Sequence, residues 1–164
     1  MFLLQKGEFK KTVFLLLGNT LGNFEINELM YTIRSSMKDE DLLLVDTALA
    51  DEKIHQKAKA QSKNKMVDEF LKHIPLQLGL EKNEAEYSAR FKNSRIEFFY
   101  TIMKDKKVEF QEKTVYFNKG DQIIVAVAYK FELEELKSYF NVYFREAEFV
   151  VSKDRSQVCI LITK

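Results

Sequence analysis

The chain has 164 residues, 46% of them hydrophobic, with 26 basic and 25 acidic side chains and a net charge of +1. This length and apolar content predict a single globular domain over residues 1–164. A charge balance so close to zero provides no basic surface for nucleic acid, and no apolar stretch approaches the roughly 20 residues that cross a membrane, so we expect neither partner.

The single cysteine, Cys159, cannot form an internal disulfide. It lies in the apolar run 158–162, which predicts a buried thiol without a catalytic role. One unpaired cysteine favours a reducing compartment, and the first residues do not have the pattern of a secretory signal. We therefore expect a cytoplasmic protein.

The chain begins with a strand–helix–strand pattern. The continuous apolar run Val13–Leu17 predicts a strand buried on both faces, and a second such strand is predicted over Asp41–Asp46. Between them, apolar residues at helical spacing from Ile26 to Met37 predict an amphipathic helix that ends near Lys38. This is a βαβ unit, for which parallel strands and a right-handed crossover are expected. Few residues precede the first strand, so we expect a partner or another segment at its outer edge.

The loop after the first strand carries the candidate site. Open α/β sheets bind ligands where their strands end. Gly18 and Gly22 let the backbone turn sharply, while Asn19, Thr20 and Asn23 supply uncharged donors and acceptors. The loop therefore predicts a site for a polar small molecule. A second interpretation stays open, in which Asn23 only caps the helix that begins near residue 24.

The middle of the chain predicts a helical excursion from the sheet. Residues 51–65 are polar, and an apolar helical stripe from Val67 to Ile74 then precedes Pro75, the single proline. His55 and His73 have no Cys or Asp at ligand spacing, so no metal site is predicted.

Antiparallel strands are predicted to follow. Thr114–Phe117 and Gln122–Phe131 flank a turn and predict a hairpin, with a strand over Arg95–Met103 alongside. Residue alternation in that strand favours a solvated sheet face for Arg95 and Glu97 over a pocket pair.

The chain closes with one predicted helix and two predicted strands. Leu133, Leu136 and Phe140 mark a short helix. Tyr143–Val151 and Gln157–Thr163 predict a strand pair joined at residues 153–155.

Five local motifs, in this order, resemble the carboxy-terminal half of the histidine-specific, S-adenosylmethionine-dependent methyltransferase family. They are Gly7–Phe9, Phe14–Phe24, Asp41–Asp46, Arg95–Phe98 and Tyr129–Phe131. The resemblance implies an α/β fold, the second half of a Rossmann-like methyltransferase sheet with a βαβ start and antiparallel closing strands. It also implies a substrate-recognition module of helices and antiparallel strands, inserted over residues 51–131.

The resemblance implies where an acceptor would bind. The family's Gly-x-Thr-x-Gly-Asn string holds the amino and carboxylate groups of the substrate through its asparagine, which is Asn23 here. The implied substrate-binding residues are therefore Asn23 with Thr20 and Gly22 from the same string, and Phe98 from the Arg95–Phe98 motif.

Three positions differ from the family's pattern. Lys59 stands approximately where the family has a tyrosine, and Ala126 and Ala128 replace the glutamate and serine that contact the imidazole. A site that hydrogen bonds an imidazole discriminates strongly, and its selectivity is lost with those polar groups. Histidine is therefore not the expected acceptor.

The implied activity is methyl transfer from S-adenosylmethionine to a small amine or amino-acid-like acceptor. Members of the family bind this cofactor mainly through their first half, which contains a glycine-rich loop. No G-x-G-x-x-G string occurs in this sequence. We predict no catalytic or cofactor-binding residue here and no tight cofactor binding by the chain alone. An amino-terminal methyltransferase half, or another copy at the sheet edge, is the expected partner. The alternative is a non-catalytic protein-interaction module.

Overall fold

A computed structural model describes residues 11–110 and 112–164, and the Gly7–Phe9 motif lies outside them. The strands are β1 (Val13–Leu16), β2 (Leu42–Ala48), β3 (Ala85–Lys92), β4 (Arg95–Ile102), β5 (Lys106–Phe110), β6 (Lys113–Phe117), β7 (Gln122–Tyr129), β8 (Glu146–Val151) and β9 (Gln157–Thr163). The α-helices are α1 (Ile26–Ser36), α2 (Ile54–Gln61), α3 (Lys65–Leu71), α4 (His73–Gln77) and α5 (Leu133–Tyr143). The described residues form two compact units, one from 11–50 with 131–164 and one from 51–130.

The first unit is an α/β unit with a mixed sheet in the order β1-β2-β9-β8. β1 and β2 are parallel and are connected through α1, which confirms the predicted βαβ unit. β9 runs antiparallel to both β2 and β8, so the predicted closing strand pair is also confirmed.

One face of this sheet packs against helices and forms the core. Val45 of β2 lies opposite Ile160 of β9, and both are fully buried. Phe140 of α5 contacts Phe149 of β8 edge to face, with ring centroids 6.1 Å apart. This apolar layer is what the alternating pattern of the strands produces when one side is covered.

The other face of the sheet is open, which corrects two predictions. β1 is not buried on both faces, because Val13 is 54% exposed and Leu15 is 56% exposed. The thiol of Cys159 is also exposed rather than buried. Leu161 and Val150 lie on the same side as Cys159 and are exposed as well. A continuous apolar run does not distinguish a strand covered on two sides from one whose second apolar face stays open.

The second unit contains α2, α3 and α4, a three-stranded antiparallel sheet β3-β4-β7 and the two-stranded sheet β5-β6. The helical excursion and the strand beginning at Arg95 are confirmed. Pro75 lies within α4 rather than after a helix. None of the helices in the described ranges is long and apolar enough to cross a membrane.

The predicted hairpin of residues 114–117 and 122–131 is wrong. β6 pairs with β5, while β7 pairs with β4. β3 was not predicted, and it pairs with β4 through the two-residue turn Asn93-Ser94. Both turn residues have positive φ angles, 52° and 54°, as tight hairpins with the right-handed twist require. The residues of β3 alternate between apolar and polar, so the signal of a half-buried strand was present in the sequence.

Candidate functional site

The loop that leaves β1 begins with a left-handed backbone turn. Gly18 and Asn19 adopt consecutive left-handed conformations, with φ angles of 67° and 63°. Glycine adopts this conformation freely, and asparagine tolerates it better than most residues. The two residues turn the chain into a short 3-10 helix, Thr20–Asn23.

Side-chain hydrogen bonds hold the turn in place. The Oδ1 atom of Asn19 accepts hydrogen bonds from Thr47 Oγ1 and from Ala48 N, each 3.0 Å long. Asp46 accepts two more from the loop, one from Gly18 N to its carboxylate and one from Asn19 N to its carbonyl, both 3.3 Å long. The carboxyl ends of the parallel strands β1 and β2 therefore meet at one edge, as expected for a ligand site in an α/β sheet.

The sequence analysis did not assign a role to Asp46 or Thr47. Both lie at the end of β2, and the βαβ pattern already placed that strand's carboxyl end next to the loop. The signal was present, because parallel neighbours bring equivalent ends together.

Three predicted substrate-binding residues lie together in the 3-10 helix. Thr20 Oγ1 donates a hydrogen bond to the carbonyl of Leu17, so the hydroxyl proton is already used within the loop. Gly22 is buried. Asn23 is exposed, and its side chain makes no hydrogen bond to any residue in the described ranges. Its amide is therefore available to bind a polar molecule with one donor group and one acceptor atom.

Asn23 does not cap the following helix. The N-cap of α1 is Glu25, whose carboxylate accepts hydrogen bonds from Asn27 N at 3.2 Å and from Glu28 N at 2.8 Å. The bond from Glu28 N is the main cause of a lowered pKa at Glu25. The capping interpretation of Asn23 is therefore wrong, since a neighbouring carboxylate has taken that role.

The fourth predicted residue, Phe98, belongs to the second unit. It lies in the middle of β4, opposite Ala89 on β3 and Ala126 on β7. It is partly exposed, and the register of β4 with β7 shifts between Phe98 and Phe99. Small side chains on both neighbouring strands leave the aromatic ring of Phe98 as the largest group in that row.

Glu97 is not on a solvated face, contrary to the prediction. It is 2% exposed, and its carboxylate lies 2.8 Å from Arg90 Nε and 2.8 Å from Arg95 Nη2. Burial opposes ionisation, but the hydrogen bonds from the two arginines outweigh it and hold the pKa of Glu97 below its ordinary value. Arg90 also stacks 4.5 Å from the ring centroid of Phe99. This cluster cross-links β3 and β4.

The described residues contain no group of three or more His, Cys, Asp or Glu side chains that could hold a metal ion. The carboxylate of Asp46 beside the loop accepts a hydrogen bond from Gly18 N, and the polar side chains of the loop itself are uncharged hydrogen-bonding groups. Such groups orient a polar ligand and do not by themselves move a proton.

A comparison with protein families gives a match over nearly the whole chain. The sequence model of the family described as "Histidine-specific methyltransferase, SAM-dependent" matches residues 3–163. No curated protein matches the sequence.

Several solved structures are distantly similar to this chain. A S-adenosylmethionine-dependent methyltransferase from Clostridium acetobutylicum ATCC 824 has a TM-score of 0.42 and 10% identity, covering 94% of this chain and 58% of its own. DesVI from Streptomyces venezuelae has a TM-score of 0.41 and 6% identity, covering 92% and 57%. The SAM-bound amino pentose methyltransferase CalS10 from Micromonospora echinaspora has a TM-score of 0.39 and 8% identity, covering 96% and 61%. The chain thus spans less than two thirds of the length of each of these structures.

Proposed function

The chain belongs to the histidine-specific, S-adenosylmethionine-dependent methyltransferase family, and from this we propose that it is the acceptor-binding portion of such an enzyme. In this proposal it orients a small amine or amino-acid-like molecule for methylation. A second polypeptide half binds the methyl donor.

The observation that carries the proposal is the position of Asn23. Its amide is exposed at the carboxyl end of β1, on a loop that Asn19 and Asp46 hold in place. A fixed loop presenting a free amide suits the amino and carboxylate groups of an amino-acid-like acceptor, because the amide can donate to one and accept from the other.

The acceptor's side chain is proposed to differ from imidazole. Ala126 and Ala128 are partly buried on β7, where they offer methyl groups and no polar atom. Phe98 lies beside Ala126 and adds apolar area. Within the second unit, this row therefore does not provide the polar partners that an imidazole needs.

Methyl transfer requires little proton transfer by these residues. S-adenosylmethionine, when bound, supplies an already activated methyl group, so positioning of the acceptor is the main contribution that the protein makes. The residues of this chain hold the acceptor. We assign no contact with the cofactor to them.

The proposed partner half covers the open side of the first unit. Within the described ranges β1 pairs with β2 alone, which leaves the backbone groups of its other edge unpaired. Val13 and Leu15 on β1 and Val150 on β8 are more than half exposed on the open face. An added parallel strand and amphipathic helices would pair that edge and bury those side chains.

The same exposed surface favours a second candidate function. A non-catalytic interaction module would use the edge of β1 and the open face to bind another copy or a partner strand. In that case the loop at Asn23 has no acceptor to bind.

A reconstitution experiment separates the two functions. The chain is mixed with the amino-terminal half of a family enzyme, and transfer of labelled methyl groups to a panel of amines and amino acids is measured. The proposal expects transfer that needs both halves and falls when Asn23→Ala replaces the wild-type chain. If light scattering shows a tight dimer of the chain alone and the mixture never transfers methyl groups, the interaction module is supported instead.

A further inference from the structure

The second unit contains a cavity of about 230 Å³ that the proposed function does not use. Its wall on one side is made by the rings of Tyr87 on β3 and Tyr100 on β4, whose centroids are 5.5 Å apart. Pro75 and Leu76 of α4 add apolar area. Ala85 and five charged residues complete the lining, and the charged ones are Asp68, Glu69, Lys72, Glu81 and Lys82.

One carboxylate in this cavity is held in a fixed position. Tyr100 Oη donates a 2.7 Å hydrogen bond to Asp68 Oδ1 and lies 3.2 Å from the Asp68 carbonyl oxygen. Desolvation by burial, and then this contact with Asp68, raise the pKa of Tyr100, so the hydroxyl keeps its proton and remains a donor. The second carboxylate oxygen of Asp68 makes no hydrogen bond to a residue in the described ranges.

A second hydroxyl nearby has no partner. Tyr87 Oη is buried and makes no hydrogen bond within the part of the chain that the structure describes. A buried hydroxyl is rarely left unpaired, since native proteins satisfy nearly all such groups. Burial, together with the negative charge of Asp68, raises the pKa of Tyr87, so this hydroxyl is also neutral.

The charge of the lining is negative. Three carboxylates face two ammonium groups, and the Lys72 ammonium is already paired with Glu69. An anionic ligand would meet Lys82 but also the carboxylates of Asp68 and Glu81, because three carboxylates and two ammonium groups leave the lining with a net charge of −1. A cation would instead meet the carboxylate of Asp68 next to the rings of two tyrosines.

We propose that this cavity binds a small alkylammonium ion, whose N–H groups donate to Asp68 and Tyr87 and whose alkyl part lies against Tyr100 and Pro75. The inference does not depend on methyl transfer or on the loop at Asn23. It rests on the cavity, the oriented carboxylate, the paired tyrosine rings and the unpartnered hydroxyl.

A ligand panel tests this with the wild-type full chain. Butylammonium, 1-butanol and butyrate have the same chain length and differ in charge, and each is titrated while backbone amide NMR shifts are recorded at constant ionic strength. We expect saturable shifts around Asp68, Tyr87 and Tyr100 with butylammonium, and at least tenfold weaker binding of the alcohol and the carboxylate. Equal affinities for butylammonium and butanol, or shifts elsewhere only, would overturn the proposal.

Two variants and a control locate the site. Asp68→Asn keeps an oxygen for the Tyr100 hydroxyl but removes the charge, and it should weaken butylammonium binding at least tenfold. Tyr87→Phe keeps the ring and should weaken binding severalfold, which tests the site even if the first variant folds poorly. Glu86→Gln removes an exposed carboxylate outside the cavity lining and should bind as wild type. Wild-type affinity in both cavity variants would contradict the assignment.

Discussion

The hydroxyl of Thr47 donates a 3.0 Å hydrogen bond to Oδ1 of Asn19, and this contact connects the ends of two parallel strands. Thr47 is 2% exposed, so its hydroxyl depends on Asn19 for a partner. The same oxygen of Asn19 accepts from Ala48 N. Asn19 therefore fixes the loop that presents Asn23.

Replacing Asn19 should destabilise the first unit. Asn19→Ala loses both hydrogen bonds and places alanine at a φ of 63°, so we expect the free energy of unfolding to fall by about 2–4 kcal/mol. Asn19→Gly loses the same bonds without the backbone strain and should cost about 1 kcal/mol less. Urea denaturation followed by circular dichroism measures both. Equal losses in the two variants would show that backbone strain plays no part.

Replacing Asn23, unlike replacing Asn19, should leave the stability of the chain nearly unchanged. Its side chain is exposed and makes no hydrogen bond within the described ranges, so Asn23→Ala should change the free energy of unfolding by less than about 0.5 kcal/mol. In the reconstituted enzyme the same variant should lower kcat/KM for the acceptor about tenfold or more, as expected for one lost hydrogen bond to a charged group. Thr32→Ala, on an exposed position of α1, is the matched control for the assay. An unchanged kcat/KM would remove Asn23 from the site.

The buried glutamate of the second unit should matter for stability. Glu97→Gln keeps the shape but leaves the guanidinium groups of Arg90 and Arg95 without their counterion, and we expect a loss of about 2–4 kcal/mol. Glu86→Gln, an exposed carboxylate on β3, should stay within about 0.5 kcal/mol of wild type. Thermal and urea unfolding compare the two. A loss at Glu97 no larger than that at Glu86 would contradict the structural role of the cluster.

Stability should also depend on pH through Glu84. Its carboxylate accepts from Glu81 N at 2.8 Å and lies 2.9 Å from Nζ of both Lys104 and Lys106, and these contacts lower its pKa from 4.5 to about 2. A carboxylate with a depressed pKa stabilises the fold fully above its unfolded value and loses that contribution as the pH falls through the folded one. The stability difference between wild type and Glu84→Gln should therefore be constant above pH 4.5 and shrink from there towards pH 2. If the stability difference between wild type and Glu84→Gln does not change with pH, the prediction is contradicted.

The elements predicted with most success are those whose apolar spacing is regular. α1 and the strand pair β8–β9 follow directly from their patterns. β3 was missed although its residues alternate between apolar and polar. β6 was paired with the wrong strand because a turn between two strands does not show that they pair with each other. Long-range pairing is set by the packing of the whole unit, which local sequence patterns do not contain.

The candidate site was predictable in its position but not in its internal contacts. The sequence placed an Asn- and Gly-rich loop at a strand end, which the structure confirms. It did not show that Asn19 is the anchor, that Glu25 takes the capping role, or that Glu97 is buried. Each of these depends on which neighbour reaches a given donor or carboxylate, and that is decided by tertiary geometry.

Isothermal titration of the isolated chain with S-adenosylmethionine tests the central proposal most directly. If this chain holds the acceptor and a separate half binds the methyl donor, no saturable heat should appear up to millimolar cofactor, and addition of the partner half should create binding. A one-to-one complex of micromolar affinity or tighter with the chain alone would contradict the account.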